Sequence, residues 1–226
     1  MAFVFDARSP NAPYVEMIWH TRSEAAGTFI SSAATNWEIV IAKFDGKTMV
    51  AARGPETRAS EADFPADAEF FGITFKLGTF MPHLPVKTLL DRQDAVLPEA
   101  SSKSFWLHGS AWEIPTFENA DVFVNRLIRQ GILVRDPMIE AALQGHTPAL
   151  SIRSLQYRFV QVTGLTHKLI QQIERARRAA TLLEQGTSII DTAYELGYFD
   201  QAHLTNSLRR FIGKTPAQIA RMKQPD

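Results

Sequence analysis

The stretch from Thr187 to Pro216 constrains this chain more than any other. Thr187-Ser188 can cap a helix in which Ile190, Ala193, Tyr194 and an inward Leu196 follow helical periodicity, and Ser188 with Asp191 three residues later approximates a capping box. Gly197 ends that helix, Tyr198-Phe199 form a turn, and Asp200 caps a second helix. In the second helix Leu204, Leu208 and Phe211 recur at i, i+4 and i+7 as a buried stripe. Thr215-Pro216 then caps and opens a final helix. The stripe leaves Gln201, Ala202, Thr205, Asn206, Arg209 and Arg210 on the other faces. Gln and Asn can each pair two ways with adenine, Ala202 can offer only a methyl contact, and arginines farther along suit phosphates. Taken alone, Asp200–Phe211 reads first as an ordinary amphipathic helix with a solvated polar side, so its surroundings must decide.

Those surroundings repeat the pattern. A helix read from Ser151 to before Gly164 ends in Arg158-Phe159, and the helix from Asp200 to before Gly213 ends in Arg210-Phe211. Between them Thr166–Glu184 reads as one amphipathic connector, with Leu169, Ile173, Ala176, Ala180 and Leu183 along one side. Its Arg175, Arg177 and Arg178 either face phosphates or form a solvated side with pairs such as Glu174 with Arg178. Charge divides in the same place. Residues 151–226 carry 11 Lys and Arg against 6 Asp and Glu, whereas residues 1–150 carry 13 against 18. Only the later part suits a polyanion.

The run Ile190-Ile-Asp-Thr-Ala-Tyr-Glu-Leu-Gly197-Tyr-Phe-Asp-Gln-Ala-His-Leu-Thr-Asn-Ser-Leu-Arg-Arg-Phe211-Ile-Gly213-Lys-Thr-Pro216 resembles the signature of AraC/XylS-family transcription regulators. The resemblance extends upstream through Ser151–Phe159, Thr163–Thr166 and the connector. It implies two helix-turn-helix units, with base-reading positions at Arg153, Gln156 and Tyr157 in the first and at Gln201, Ala202, Thr205 and Asn206 in the second. The passage Gly145 to Leu150, with Thr147-Pro148, is longer than the pattern has it, which puts the seating of the first unit in question. Tyr14-Val-Glu-Met-Ile-Trp19 and Phe71-Gly-Ile-Thr-Phe-Lys-Leu-Gly78, followed by Pro85 and Leu89-Leu90-Asp91, resemble the barrel-type sensor domain of some of these regulators. That resemblance implies double-stranded DNA as partner, with a small-molecule effector, RNA polymerase and a second copy of the chain as further candidates.

Residues 14–114 read as strands and loops. Tyr14–Thr21, Trp37–Phe44, Thr48–Ala52 and Phe70–Leu77 mix β-branched and aromatic residues, and Asp45-Gly46 and Gly54-Pro55 are turn signals. Thr79–Asp94, with Val86, Leu89 and Leu90 at helical spacing, predicts one short helix packed on that sheet. From Glu118 the pattern turns helical. Val122, Phe123, Arg126, Leu127 and Gln130 line up before Gly131, and Pro137 opens a helix through Leu143 that Gly145 closes. The expected class is α+β: a β-rich, barrel-like (cupin-like) sensor domain over 1–114, then an all-helical double helix-turn-helix domain over 115–226.

Rival chemistry finds little support. The absence of cysteine excludes disulfides, thiol nucleophiles and Cys-based metal sites. No run of about 18 apolar residues exists, and Met1–Pro10 lacks a secretory pattern, so a cytoplasmic protein with no membrane span is expected. Asp45-Gly46-Lys47-Thr48 lacks the earlier glycine of a phosphate loop and reads as a hairpin turn. His20, His83 and His108 are widely spaced and read better as satisfied or surface histidines than as a metal site. Trp19, Trp37, Phe71, Phe75, Trp106 and Trp112 read as core before pocket. No catalytic residue, metal site or cofactor is expected. The alternative reading is a barrel enzyme or ligand-binding protein whose helical tail serves assembly only, and salt-reversible retention on DNA separates the two.

Overall fold

The computed structural model describes residues 4–10, 12–92, 94–146 and 151–221. The passage expected around Thr147-Pro148 lies outside them. In chain order the strands are β1 (Val4–Arg8), β2 (Val15–Ser23), β3 (Gly27–Ser31), β4 (Glu38–Phe44), β5 (Lys47–Arg53), β6 (Ser60–Phe64), β7 (Ala68–Phe75), β8 (Thr79–Phe80), β9 (Ala95–Leu97), β10 (Glu99–Ser101), β11 (Ser104–Leu107), β12 (Ser110–Glu113) and β13 (Val134–Arg135). The α-helices are α1 (Ala120–Arg129), α2 (Pro137–Leu143), α3 (Ile152–Thr163), α4 (His167–Glu184), α5 (Ile189–Glu195), α6 (Gln201–Phe211) and α7 (Pro216–Arg221). Contacts divide the chain into two compact units. One comprises residues 1–27, 36–55 and 63–166, and the other 28–35, 56–62 and 167–226.

The first unit is β-rich and barrel-like. Its main sheet is antiparallel, in the order β1-β2-β7-β4-β5-β9, and open, because β9 does not return to β1. The run Ile39-Val-Ile-Ala42 of β4 is buried throughout because β4 lies inside the sheet, between β7 and β5. Asp45 and Gly46 close the β4–β5 hairpin with φ of 52° and 69°, the left-handed pair that a two-residue turn demands. The expected aromatic residues are mostly core. Trp37 stacks on Phe75 at 4.3 Å and donates Nε1–H to the Thr79 carbonyl at 2.6 Å, and Trp112 is buried under Phe123 and Arg126. Trp19 is half-buried, and Trp106 faces solvent.

One element departs from expectation. Among its described residues Thr79–Asp94 holds no α-helix but the short strand β8 and two 3-10 turns, Val86–Thr88 and Leu90–Arg92. Pro82 and Pro85 lack amide donors, and Asp91 takes a left-handed φ of 52°, so no run of helical hydrogen bonds can propagate. Gly54 lies where a Cβ would stand 2.1 Å from the Leu89 carbonyl oxygen, so the Gly54-Pro55 turn marks a close chain approach. The later helices follow their caps. Asp136 accepts from Met138 and Ile139 N–H ahead of Pro137, and Ser151 caps α3, which Gly164 ends at a φ of 76°. In α1, Phe123 and Leu127 face the core with Ala120 and Val124, while Val122 turns outward.

The second unit packs α4 to α7 around Ala179, Leu183, Ala193, Tyr198, Leu204, Leu208 and Ile219. The buried stripe of α4 runs through Ile170, Ile173, Ala176, Ala179, Ala180 and Leu183, so Ile170 takes the inward place expected of Leu169. In α5 the inward residues are Thr192 and Ala193. Ile190 and Tyr194, expected inside, are exposed, because on a seven-residue helix an i, i+4 pair fits either side equally well. Strands β3 and β6, most of whose residues come from two excursions of the N-terminal region, pair with each other. Among the described residues no helix is long and apolar enough to cross a membrane.

Candidate nucleic-acid interface

The second helix pair is fixed from the turn outward. Gly197 takes a φ of 66°, and Ser188 caps α5 by accepting from Asp191 N–H. Tyr198 is buried, its hydroxyl 3.1 Å from Ser207 Oγ, with the Arg175 guanidinium 4.4 Å from its ring centre and the His203 ring edge-on at 5.2 Å. Asp200 accepts from His203 N–H at 2.7 Å and so caps α6. With Leu204, Leu208 and Phe211 inward, Gln201, Ala202, Asn206, Arg209 and Arg210 are exposed. Thr205 is half-buried and donates its hydroxyl to the Gln201 carbonyl at 2.8 Å. The side-chain amides of Gln201 and Asn206 have no hydrogen-bond partner among the described residues.

The far end of α6 is held from a distance in sequence. Ala33 N–H donates to the Phe211 carbonyl and Ala59 N–H to the Arg210 carbonyl, each at 2.7 Å, so the two N-terminal excursions cap the last turn of α6. Thr35 also donates to Glu174 on α4 at 2.9 Å. Gly213 follows with a φ of 77°, and a Cβ there would lie 2.4 Å from Ile30 Cγ2. Sequence reasoning missed these braces, because a backbone donor carries no residue-type signal.

The connector arginines have unequal freedom. Arg175 covers Tyr198, Arg177 pairs with Glu174 at 3.6 Å, and Arg178 stays exposed, so the pairing of Glu174 runs to Arg177 instead of Arg178.

The first helix, α3, belongs to the first unit. Arg153, Gln156 and Tyr157 are all exposed. Arg153 and Tyr157 also border an open cleft of about 730 Å³, whose other wall includes Phe80, Met81, Pro82 and Pro85. Arg158 and Asp136 line the same cleft. Arg158 reaches Asp136 at 2.6 Å, and the same buried carboxylate caps α2. The structure thus gathers Gln201 to Arg210 on one helix and Arg153 with Tyr157 along one cleft.

Of the three histidines weighed as a metal site, His83 and His108 meet ring to ring at 4.3 Å while His20 lies beside Phe117. Burial, then the neighbouring His108, holds the His83 imidazole below its ordinary range. Among the described residues no three His, Asp or Glu side chains are grouped to hold a metal ion.

Residues 148–222 match a family model described as a helix-turn-helix domain. The C-terminal third of the chain is an AraC-type helix-turn-helix domain. The chain is also similar to solved structures of ToxT from Vibrio cholerae. One such structure is 11% identical over 98% of this chain and 99% of its own, with a TM-score of 0.43. Another, of ToxT bound to (E)-4-(8-methylnaphthalen-1-yl)but-3-enoic acid, is 11% identical over 97% of this chain and 99% of its own, with a TM-score of 0.40. No curated protein matches the chain.

Proposed function

We propose that the chain reads a specific DNA sequence chiefly through α6, with Gln201, Ala202, Thr205 and Asn206 at base edges and Arg209 and Arg210 at phosphates. The observation that carries this reading is the state of Gln201 and Asn206: exposed, unpartnered among the described residues, and mounted on a helix hydrogen-bonded at both ends. An amide held this way can make its bidentate pairing without first breaking a bond to the protein. Arg153, Gln156 and Tyr157 of α3 form the second, lesser reader, since Arg153 and Tyr157 share their surroundings with the Phe80–Pro85 wall. Footprinting of the purified chain on a duplex selected from random sequence tests the proposal. Protection of a defined site that fades linearly as the logarithm of salt rises supports it, whereas sequence-blind retention, or none, rejects it.

The division of labour we propose is sensing by residues 1–114 and reading by residues 115–226. For an effector, the favoured seat is the cleft that Phe80–Pro85 of residues 1–114 form with α3 of residues 115–226, because a ligand there would alter how Arg153 and Tyr157 are presented. The ligand class this lining suits is a small acid with an apolar body. A thermal-shift series of such acids should give a hit that Arg153→Ala abolishes, and hits indifferent to that substitution would place the effector elsewhere.

A further inference from the structure

We propose that Phe199 is a further specificity-determining residue of the second reader, setting its ring against the 5-methyl group of a thymine at the edge of the bound site. Phe199 is 92% exposed, more than any other large hydrophobic side chain among the described residues. It stands one residue before the Asp200 cap. A hydrophobic residue in that place ordinarily folds back onto the fourth residue of the helix as a staple. Here that fourth residue is Leu204, which is fully buried, and the Phe199 ring stays in solvent.

The local hydrogen bonds explain why. Phe199 N–H donates to His203 Nδ1 at 3.4 Å, and the preceding Tyr198 takes the inward position, held by Ser207 and Arg175. With Tyr198 inside, Phe199 is turned out. A single exposed aromatic residue is ordinary on a protein surface. What separates this one is a forgone staple at the leading end of a reader helix. Such helices enter the major groove with their N-terminal residues first, so the residue before the cap travels in beside Gln201. Thymine alone of the four bases shows a methyl group there, and an apolar ring is one of its natural partners. Phe has two side-chain torsions, so little conformational freedom is lost when it docks. A ring also adds no charge, so the contact leaves salt dependence unchanged.

The inference rests on α6 being the reader, and the test separates the two claims. The full chain is bound to its selected operator and to copies in which single thymines are replaced by deoxyuracil, which removes the 5-methyl group and keeps base pairing. One replacement at the edge of the site should weaken wild-type binding by about three- to fivefold, the worth of one buried methyl group. The same replacement should leave Phe199→Ala binding unchanged, with that variant's salt slope equal to wild type. If no deoxyuracil effect disappears in the variant, or if Phe199→Ala weakens intact and scrambled sites equally, the assignment is wrong. A Gln201→Ala/Asn206→Ala double variant runs alongside. Should it lose specificity while Phe199→Ala changes nothing, only the Phe199 inference fails. Should it keep specificity, the reader assignment fails first.

Discussion

Glu38, at the start of β4, accepts hydrogen bonds from Trp19 Nε1 at 3.0 Å and Thr74 Oγ1 at 3.1 Å, with Arg53 at 3.6 Å. Burial raises its carboxyl above the ordinary glutamate range by more than Arg53 and the two donors lower it. A raised folded-state value means that Glu38 favours the fold while protonated and that this contribution is lost as pH rises through the folded value. Glu38→Gln is therefore expected to melt close to wild type near the acid end of its stable range. Its melting temperature should gain on wild type as pH approaches neutrality, and a gap that shrinks with rising pH would contradict the sign. Gly213→Ala should act in the second unit. A left-handed φ and a Cβ meeting Ile30 predict a loss of about 1–3 kcal/mol, read by denaturant unfolding.

At the scale of elements, α6 depends on a local cap at one end and distant donors at the other. Asp200→Ala should cost about 0.5–2 kcal/mol, as other cap deletions do. Ala59→Pro removes the donor to the Arg210 carbonyl and should expose the last turn of α6 to hydrogen exchange while its first turn stays protected. Equal exchange at both ends would show that the brace does not matter. The same contrast explains what was legible in the sequence. Ser151, Ser188, Asp200, Gly164 and Gly197 announce helix ends because capping and left-handed turns select residue types within a few positions. The stripe Leu204, Leu208, Phe211 was legible for the same reason. Ile190 and Tyr194 were misread because helical spacing defines a face without saying which way it looks. The Pro85–Arg92 turns were misread because apolar spacing outweighed the two prolines. The candidate readers on α6 could be named from their type and place, whereas the cleft beside Arg153 depends on Phe80–Pro85 and has no local signature.

At the scale of the molecule, the compact units cut across the proposed functional division, since residues 28–35 and 56–62 group with the last helices. A fragment beginning at Pro115 lacks Ala33 and Ala59, so it should keep sequence preference but melt below the full chain, and residues 1–114 should show no competitor-resistant DNA binding. The 18-residue connector α4 is about 27 Å long, a span suited to readers in major grooves about 34 Å apart, so the footprint should cover roughly two helical turns. The central claim is that α6 carries most of the discrimination, and competition binding tests it directly. The ratio of affinity for the selected operator to affinity for a scrambled duplex is measured across a salt series for wild type, Gln201→Ala/Asn206→Ala and Arg153→Ala/Gln156→Ala. Each good base contact is worth about 1–3 kcal/mol, so the α6 pair should lower the ratio by at least about tenfold with scrambled binding unchanged. The α3 pair should lower it less. A larger loss of specificity from Arg153→Ala/Gln156→Ala than from Gln201→Ala/Asn206→Ala would contradict the account.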